Sequence, residues 1–139
     1  MQAAISQAIL ASKNDEVPVG AVIVLKGEII SRAHNQKEAK KDPTSHAEIE
    51  CIKKACKKLN KKYLDDCEMY VTLEPCLMCL GAILESRIKK IYIAAKDPKG
   101  GAVVSRETYM SIKDQAKFEF TDDDYIIIKI MKEFFKSKR

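Results

Sequence analysis

Residues 69–95 read MYVTLEPCLMCLGAILESRIKKIYIAA, and the reading of this stretch decides the fold. Met69–Leu73 is a short apolar run with the composition of a strand. Pro75 then suits the first turn of a helix, where its missing N–H leaves no bond unmade. Ile83 and Leu84 carry that helix to about Ser86, and Ile88–Ala95 is a second strand.

Working outward, the elements keep alternating in type. His46–Leu59 reads as a helix with Ile49, Ile52, Cys56 and Leu59 on one face and lysines on the other. Val19–Leu25 and Glu28–Ala33 are β-branched runs joined by Lys26-Gly27, which suits a tight antiparallel hairpin. Met1–Ser12 carries a helical stripe of Ala4, Ile5, Ala8 and Ile9. Downstream come a loop at Asp97–Gly101, a short helix at Glu107–Ile112 and a short strand at Phe118–Phe120. The last segment holds two competing signals. Tyr125-Ile126-Ile127-Ile128 has strand propensity, but Thr121 and the three aspartates behind it suit a helix start, where acids meet the positive end of the dipole. Ile127, Ile130 or Met131, and Phe134 recur at helical spacing, so the segment is read as a helix. The expected architecture is α/β: one domain over residues 1–139, a three-layer α/β/α sandwich around a mixed five-stranded sheet.

Composition sets bounds on function. The chain has 139 residues, 46% hydrophobic and 32% charged, the balance of a soluble globular domain. No apolar stretch is long enough to cross a bilayer, and Met1–Leu10 lacks the pattern of a secretory leader. The expected compartment is the cytoplasm. The five cysteines are an odd count in such a chain, which argues for metal binding or buried thiols over a disulfide framework. A net charge of +5 mildly favours a polyanionic partner. The lysine clusters at residues 37–41 and 53–62 are, taken alone, best read as solvated helix faces.

Two segments carry chemistry: His46-Ala47-Glu48 and Pro75-Cys76-Leu77-Met78-Cys79. Cys76 and Cys79 lie three apart in a helix's first turn, so both sulfurs face one side. A helix N-terminus lowers thiol pKa and favours the metal-binding thiolate. Two thiolates and one imidazole leave the fourth tetrahedral position open, the mark of a catalytic zinc. Alone, Cys-x-x-Cys also fits a redox pair or half of a structural zinc site. Ser45 and Glu48 also fit a capping box, with the glutamate reaching back to the cap. His34, after its strand, reads as a packing residue; Cys51 and Cys56 read as core or boundary thiols, and Cys67 as a turn residue without a role. Taken together, the two segments start two helices in an α/β layer. Such helix starts meet on one edge of a sheet, so His46 completes the metal site and Glu48 faces a metal-activated water. This pairing resembles the signature of zinc nucleobase deaminases.

The chain resembles the bacterial tRNA-specific adenosine deaminases of the cytidine-deaminase-like superfamily over nearly its whole length. The resemblance lies in residues 16–22 (EVPVGAV), His34-Asn35, residues 42–49 (DPTSHAEI), residues 72–83 (TLEPCLMCLGAI) and residues 131–136 (MKEFFK). The two metal motifs are shared with guanine and cytosine deaminases; the Val-Pro-Val-Gly-Ala-Val, Asp-Pro-Thr and Phe-Phe segments point to the tRNA enzymes. Two segments depart from the family pattern: residues 101–105 read GAVVS in place of Gly-Ala-Ala-Gly-Ser, and residues 114–117 read DQAK in place of an Asn-His segment. Both border the family's RNA path.

The resemblance implies Zn2+ held by His46, Cys76 and Cys79, with Glu48 taking a proton from the attacking water, passing it to the ring nitrogen, and then protonating the departing amine. It implies Asn35 hydrogen-bonding the base, Asp97 beside the bound strand, a homodimer, and the wobble adenosine of a tRNA anticodon as the target. The alternatives are a free-base deaminase of the same fold and a non-catalytic zinc-containing RNA-binding subunit. The second typically lacks the glutamate present here as Glu48.

Overall fold

The computed structural model describes residues 1–105 and 113–138. Its elements are α1 (Gln2–Lys13), β1 (Gly20–Leu25), β2 (Glu28–His34), α2 (Lys37–Lys40), α3 (Ala47–Leu59), β3 (Cys67–Leu73), α4 (Leu77–Glu85), β4 (Lys90–Ala95), β5 (Lys117–Phe120) and α5 (Asp124–Ser137). The helix expected at Glu107–Ile112 lies outside the described residues. The short α2 carries no apolar stripe and had no sequence signal. The final helix starts at Asp124 and not at Thr121, whose hydroxyl donates to Asp123 at 2.7 Å. Cys67 is the first residue of β3 and is buried, where a turn was expected.

Lys26 and Gly27 both have positive φ, 51° and 80°, which is what a two-residue type I′ hairpin turn requires. The sheet order is β2-β1-β3-β4-β5. Strand β1 runs antiparallel to both β2 and β3, whereas β3, β4 and β5 are parallel. This mixture positions the site. The end of β2, the start of β1 and the ends of β3 and β4 all fall on one edge of the sheet.

Helices α3 and α4 cover one face, packing over Ala21, Ile23, Met69, Val71, Ile91 and Ile93. Helices α1 and α5 cover the other, where Ile5 and Ile127 meet Ala94 and Ala95. This is the expected three-layer sandwich. The predicted stripe of α3 is displaced, however. Its most deeply buried apolar positions are Ala47, Cys51 and Ala55, spaced four apart, with Ile52, Cys56 and Leu59 packed at the border. Small side chains let the helix axis approach the sheet, so the bulky residues fall to the flanks.

Candidate metal centre and active-site pocket

Both metal-motif segments begin helices, as expected, but each in a particular way. His46 is the N-cap of α3 and Cys76 the N-cap of α4, both with extended backbone at ψ 155° and 173°. Pro75 therefore precedes the helix it was expected to open. Cys79 lies three residues into α4's first turn. His46 Nδ1 stands 3.6 Å from Cys76 Sγ and 3.5 Å from Cys79 Sγ. All three donor atoms lie within 4.8 Å of one another. A tetrahedral ion with zinc's bond lengths, about 2.3 Å to sulfur and 2.0 Å to nitrogen, would set an N···S edge of about 3.6 Å. The three side chains fit one such cation.

The electrostatics agree. Hydrogen bonds from Cys79 and His46 pull the Cys76 thiol down to about 3. The bond to Cys76, together with burial, pushes the Cys79 thiol up. The Cys76 bond pushes the His46 imidazole up. One negative charge is thus shared by the pair of sulfurs. A cation bound among the three donors would draw off the second thiol proton and leave two thiolates beside a neutral imidazole.

Glu48 lies one turn into α3 with 3% of its surface exposed, and burial pushes its carboxyl up. The capping box predicted for Ser45 and Glu48 is not formed. No side chain caps α3, and the Ser45 hydroxyl donates instead to Glu50 Oε1 at 2.8 Å. An extended His46 between Ser45 and the helix turns the serine away, which leaves Glu48 facing a cavity of about 170 Å³. Its lining includes Val17, Asn35, His46, Cys76 and Asp97 as well as Glu48, so every predicted site residue except Cys79 faces it. Cys79 is fully buried behind Cys76. The cavity is smaller than the roughly 300–1,000 Å³ of sites for drug-sized ligands, the scale of a single base.

Asn35 and Asp97 are also structural. Asn35 Nδ2 donates to the Val17 carbonyl at 3.4 Å, and its Oδ1 accepts the Lys37 N–H at 3.3 Å. Asp97 Oδ1 accepts the N–H groups of Lys99 and Gly100 at 3.2 and 3.1 Å, folding its own loop. His34 stays outside the cavity, 3.3 Å from Gln7 Oε1, the packing role expected of it. Several cluster lysines are tied to the scaffold: Lys40 bonds Glu50 at 2.7 Å and Lys54 bonds the Arg32 carbonyl at 2.9 Å.

Sequence reasoning missed three buried glutamates, Glu16, Glu50 and Glu74, all with exposures of 5% or less. Glu16 accepts the N–H groups of Glu38 and Ala39 at 2.9 and 2.8 Å, holding α2 beside Asn35. Glu50 accepts Ser45 and Lys40 and so fixes the segment that leads into His46. Burial pushes Glu50 up, but these hydrogen bonds outweigh it and hold the carboxyl below its ordinary value of 4.5. In the sequence each looks like an ordinary charged surface residue.

This arrangement defines a class, and the comparisons name it. The sequence model of the MafB19-like deaminases matches residues 1–139. The tRNA-specific adenosine deaminase of Aquifex aeolicus is 46% identical over 142 residues, covering all of this chain and 93% of that protein. A solved structure from studies of A-to-I editing by tRNA:A34 deaminases at the wobble position of transfer RNA superposes with a TM-score of 0.88 and 40% identity, over 94% of this chain and 96% of that one. A guanine deaminase from Bacillus subtilis is 44% identical with a TM-score of 0.66, over 68% of this chain and 61% of that one. The chain belongs to the MafB19-like deaminases and, among them, to the tRNA-specific adenosine deaminase family.

Two outcomes follow from the geometry. Cys76→Ser and Cys79→Ser each lower bound metal, measured by elemental analysis of the purified protein, and lower the thermal midpoint, because metal binding and folding are coupled. Glu50→Gln costs about 1.5–3 kcal/mol at pH 7, the loss of hydrogen bonds to a charged group. Glu50's pKa is depressed on folding, so its contribution is present above the ordinary value of 4.5 and is lost as pH falls through the folded value. Urea titrations of both proteins at pH 7 and in acid are expected to converge at the acid end.

Proposed function

We propose that the chain hydrolyses adenosine to inosine at the wobble position of a tRNA anticodon, with zinc held by His46, Cys76 and Cys79. The observation that carries this reading is the buried Glu48 carboxyl facing the same small cavity as His46 and Cys76. When bound, zinc supplies a Lewis acid that makes water a nucleophile near neutral pH. The remaining work falls to the chain's own groups. Water adds at C6 of adenine, and Glu48 receives its proton. Glu48 passes this proton to the ring nitrogen, then takes the remaining proton from the hydroxyl on C6 and gives it to the amine, which leaves as ammonia while the C6 carbonyl forms. A carboxyl whose pKa burial has raised suits a group that is base and then acid. Asn35, at the wall, hydrogen-bonds the base; Asp97, on the opposite loop, meets the ribose 2′-OH of the strand.

A polynucleotide fits better than a free base because the cavity opens into a second one. A groove of about 1150 Å³ shares Val17, Leu73 and Asp97 with it and is lined by Lys99, Lys132, Lys136, Lys138 and Phe135. Cations beside an aromatic ring suit a phosphate backbone with an unstacked base. The competing reading, a free-base deaminase, is favoured by the likeness to the guanine deaminase. The helix α4 also exposes Leu77 at 60% and Met78 at 37% of their surface, an apolar patch beside the site that suits a second copy of the chain. Among the described residues no helix is long and apolar enough to cross a membrane; a tRNA substrate supports the reading of a cytoplasmic enzyme.

Glu48→Gln is expected to abolish ammonia release, a loss of at least a thousandfold, while bound zinc stays at the wild-type level in the same sample. The substrate class is tested with an anticodon stem-loop bearing a wobble adenosine, against adenosine, adenine, guanine and cytosine at two salt concentrations. Turnover of the stem-loop should dominate, and its KM should rise with salt, about 0.7 decade per decade of salt for each phosphate contacted. Preference for a free base, or a salt-independent reaction, overturns the tRNA reading.

A further inference from the structure

Glu74 stands between the metal-bearing helix and the loop that carries Asp97. Its side chain is 2% exposed. Oε2 accepts the backbone N–H groups of Val103, Val104 and Ser105, each at 3.0 Å. Oε1 accepts the Asp97 N–H at 3.2 Å and the Ser105 hydroxyl at 2.7 Å. Backbone bonds close the same seam, from Glu74 N–H to the Ala95 carbonyl and from Ala102 N–H to the Pro75 carbonyl, both 2.8 Å. Gly101 lies so close that a Cβ there would overlap the Glu74 carboxylate. Five donors of the loop thus converge on the Glu74 side chain, at the wall of the active-site cavity and two residues before Cys76.

We propose that Glu74 is the positioning residue of the substrate wall: its carboxylate fixes the Asp97 loop against the start of α4 and so sets how tightly a strand-borne nucleotide is held. The loop 97–105 has no regular ladder of its own, and converging amides need an anionic acceptor to stay in one arrangement. Glu74 acts through Asp97 and not on the reacting atoms, so it governs binding of the strand and leaves the chemical step alone. This rests on the polynucleotide reading above.

Glu74→Gln makes a sharp test. A glutamine offers one acceptor oxygen. If that oxygen keeps Val103–Ser105, its NH2 faces the Asp97 N–H, donor against donor, and the Asp97 amide is released. The full chain with its zinc is compared as wild type, Glu74→Gln and Ser105→Ala. Expected for Glu74→Gln is a rise of about tenfold in KM for the anticodon stem-loop, the usual scale for one lost hydrogen bond to a charged group, with kcat within about threefold and zinc content unchanged. Ser105→Ala, which removes one neutral donor, is expected to raise KM about threefold. Amide hydrogen exchange is read on the same proteins. Exchange at Asp97 should quicken at least tenfold in Glu74→Gln while the amides of β3 keep wild-type protection. An unchanged KM with unchanged exchange overturns the proposal, as does a parallel fall of kcat, zinc and thermal midpoint, which would make Glu74 a general stabiliser. If Glu74→Gln does not fold, Ser105→Ala decides by the same two readouts. If the wild type leaves the stem-loop untouched, the tRNA reading falls, and exchange alone decides: loop-confined acceleration upholds the role of Glu74, and its absence removes it.

Discussion

Two helix N-termini have to meet at one point, and the rest of the structure answers to that demand. His46 and Cys76 cap their helices from extended backbone, which brings Nδ1 and two sulfurs to separations of 3.5–3.6 Å. Such a cluster is repulsive when its sulfurs ionise, yet the positive ends of the helix dipoles favour ionised thiolates there. The meeting is possible because the sheet is mixed. With β1 antiparallel to β2 and β3, and β3 parallel to β4, the end of β2, the start of β1 and the ends of β3 and β4 share one edge. Reversing β1 would send Val19 and Asn35 to the far side and leave the cavity without a wall.

Around that point the chain is irregular, and irregular backbone carries amides without a ladder to satisfy them. The fold answers with buried carboxylates. Glu16 takes two amides at the start of α2, Glu50 takes Ser45 and Lys40 ahead of His46, and Glu74 takes amides of loop 97–105. Glu50 sits on α3 and Glu74 directly after β3, each reaching to chain outside its own element, whereas Glu16, in the loop after α1, accepts amides of the short α2. Burying a charge is costly, and the cost is offset only where several donors converge on it. What this yields is a rim in one arrangement before substrate arrives, the condition for positioning a base without reorganisation.

The sequence made the chemistry plain and the scaffold much less so. The meeting of His46, Glu48, Cys76 and Cys79 was legible because the proposed metal ligation and proton transfer need particular residue types at short spacings, which a linear string preserves. The alternation of strands and helices was legible for the same reason: periodicity is local. Glu16 and Glu74 were not, because a carboxylate that accepts amides 22 to 31 residues away looks in the sequence like any charged surface residue, and Glu50, which accepts the side chains of Ser45 and Lys40, looks no different. The α3 stripe was misplaced because large apolar residues dominate a periodicity reading, whereas close approach to a sheet selects Ala47, Cys51 and Ala55. Ser45 misled in another way. Its capping-box spacing with Glu48 was real, but the cap position had gone to His46, which the metal site requires extended.

The division between interior and rim also bears on why one fold serves both tRNA and guanine deaminases. The donor trio and Glu48 are fixed by β3, α3 and α4, elements whose packing is set by the common core. In the proposed reaction they serve water attack on an amino-bearing ring carbon, whatever the ring is attached to. The groove proposed to take the attachments of the ring is lined elsewhere, by Asp97 on a loop and by Lys132, Lys136 and Phe135 on α5. That helix packs through few buried residues, Ile127 and Phe134 among them, so its outward face is free to vary in charge and aromatic content without disturbing the metal site. Substrate class is therefore written on the parts of the molecule that the core constrains least, and reaction type on the parts it constrains most.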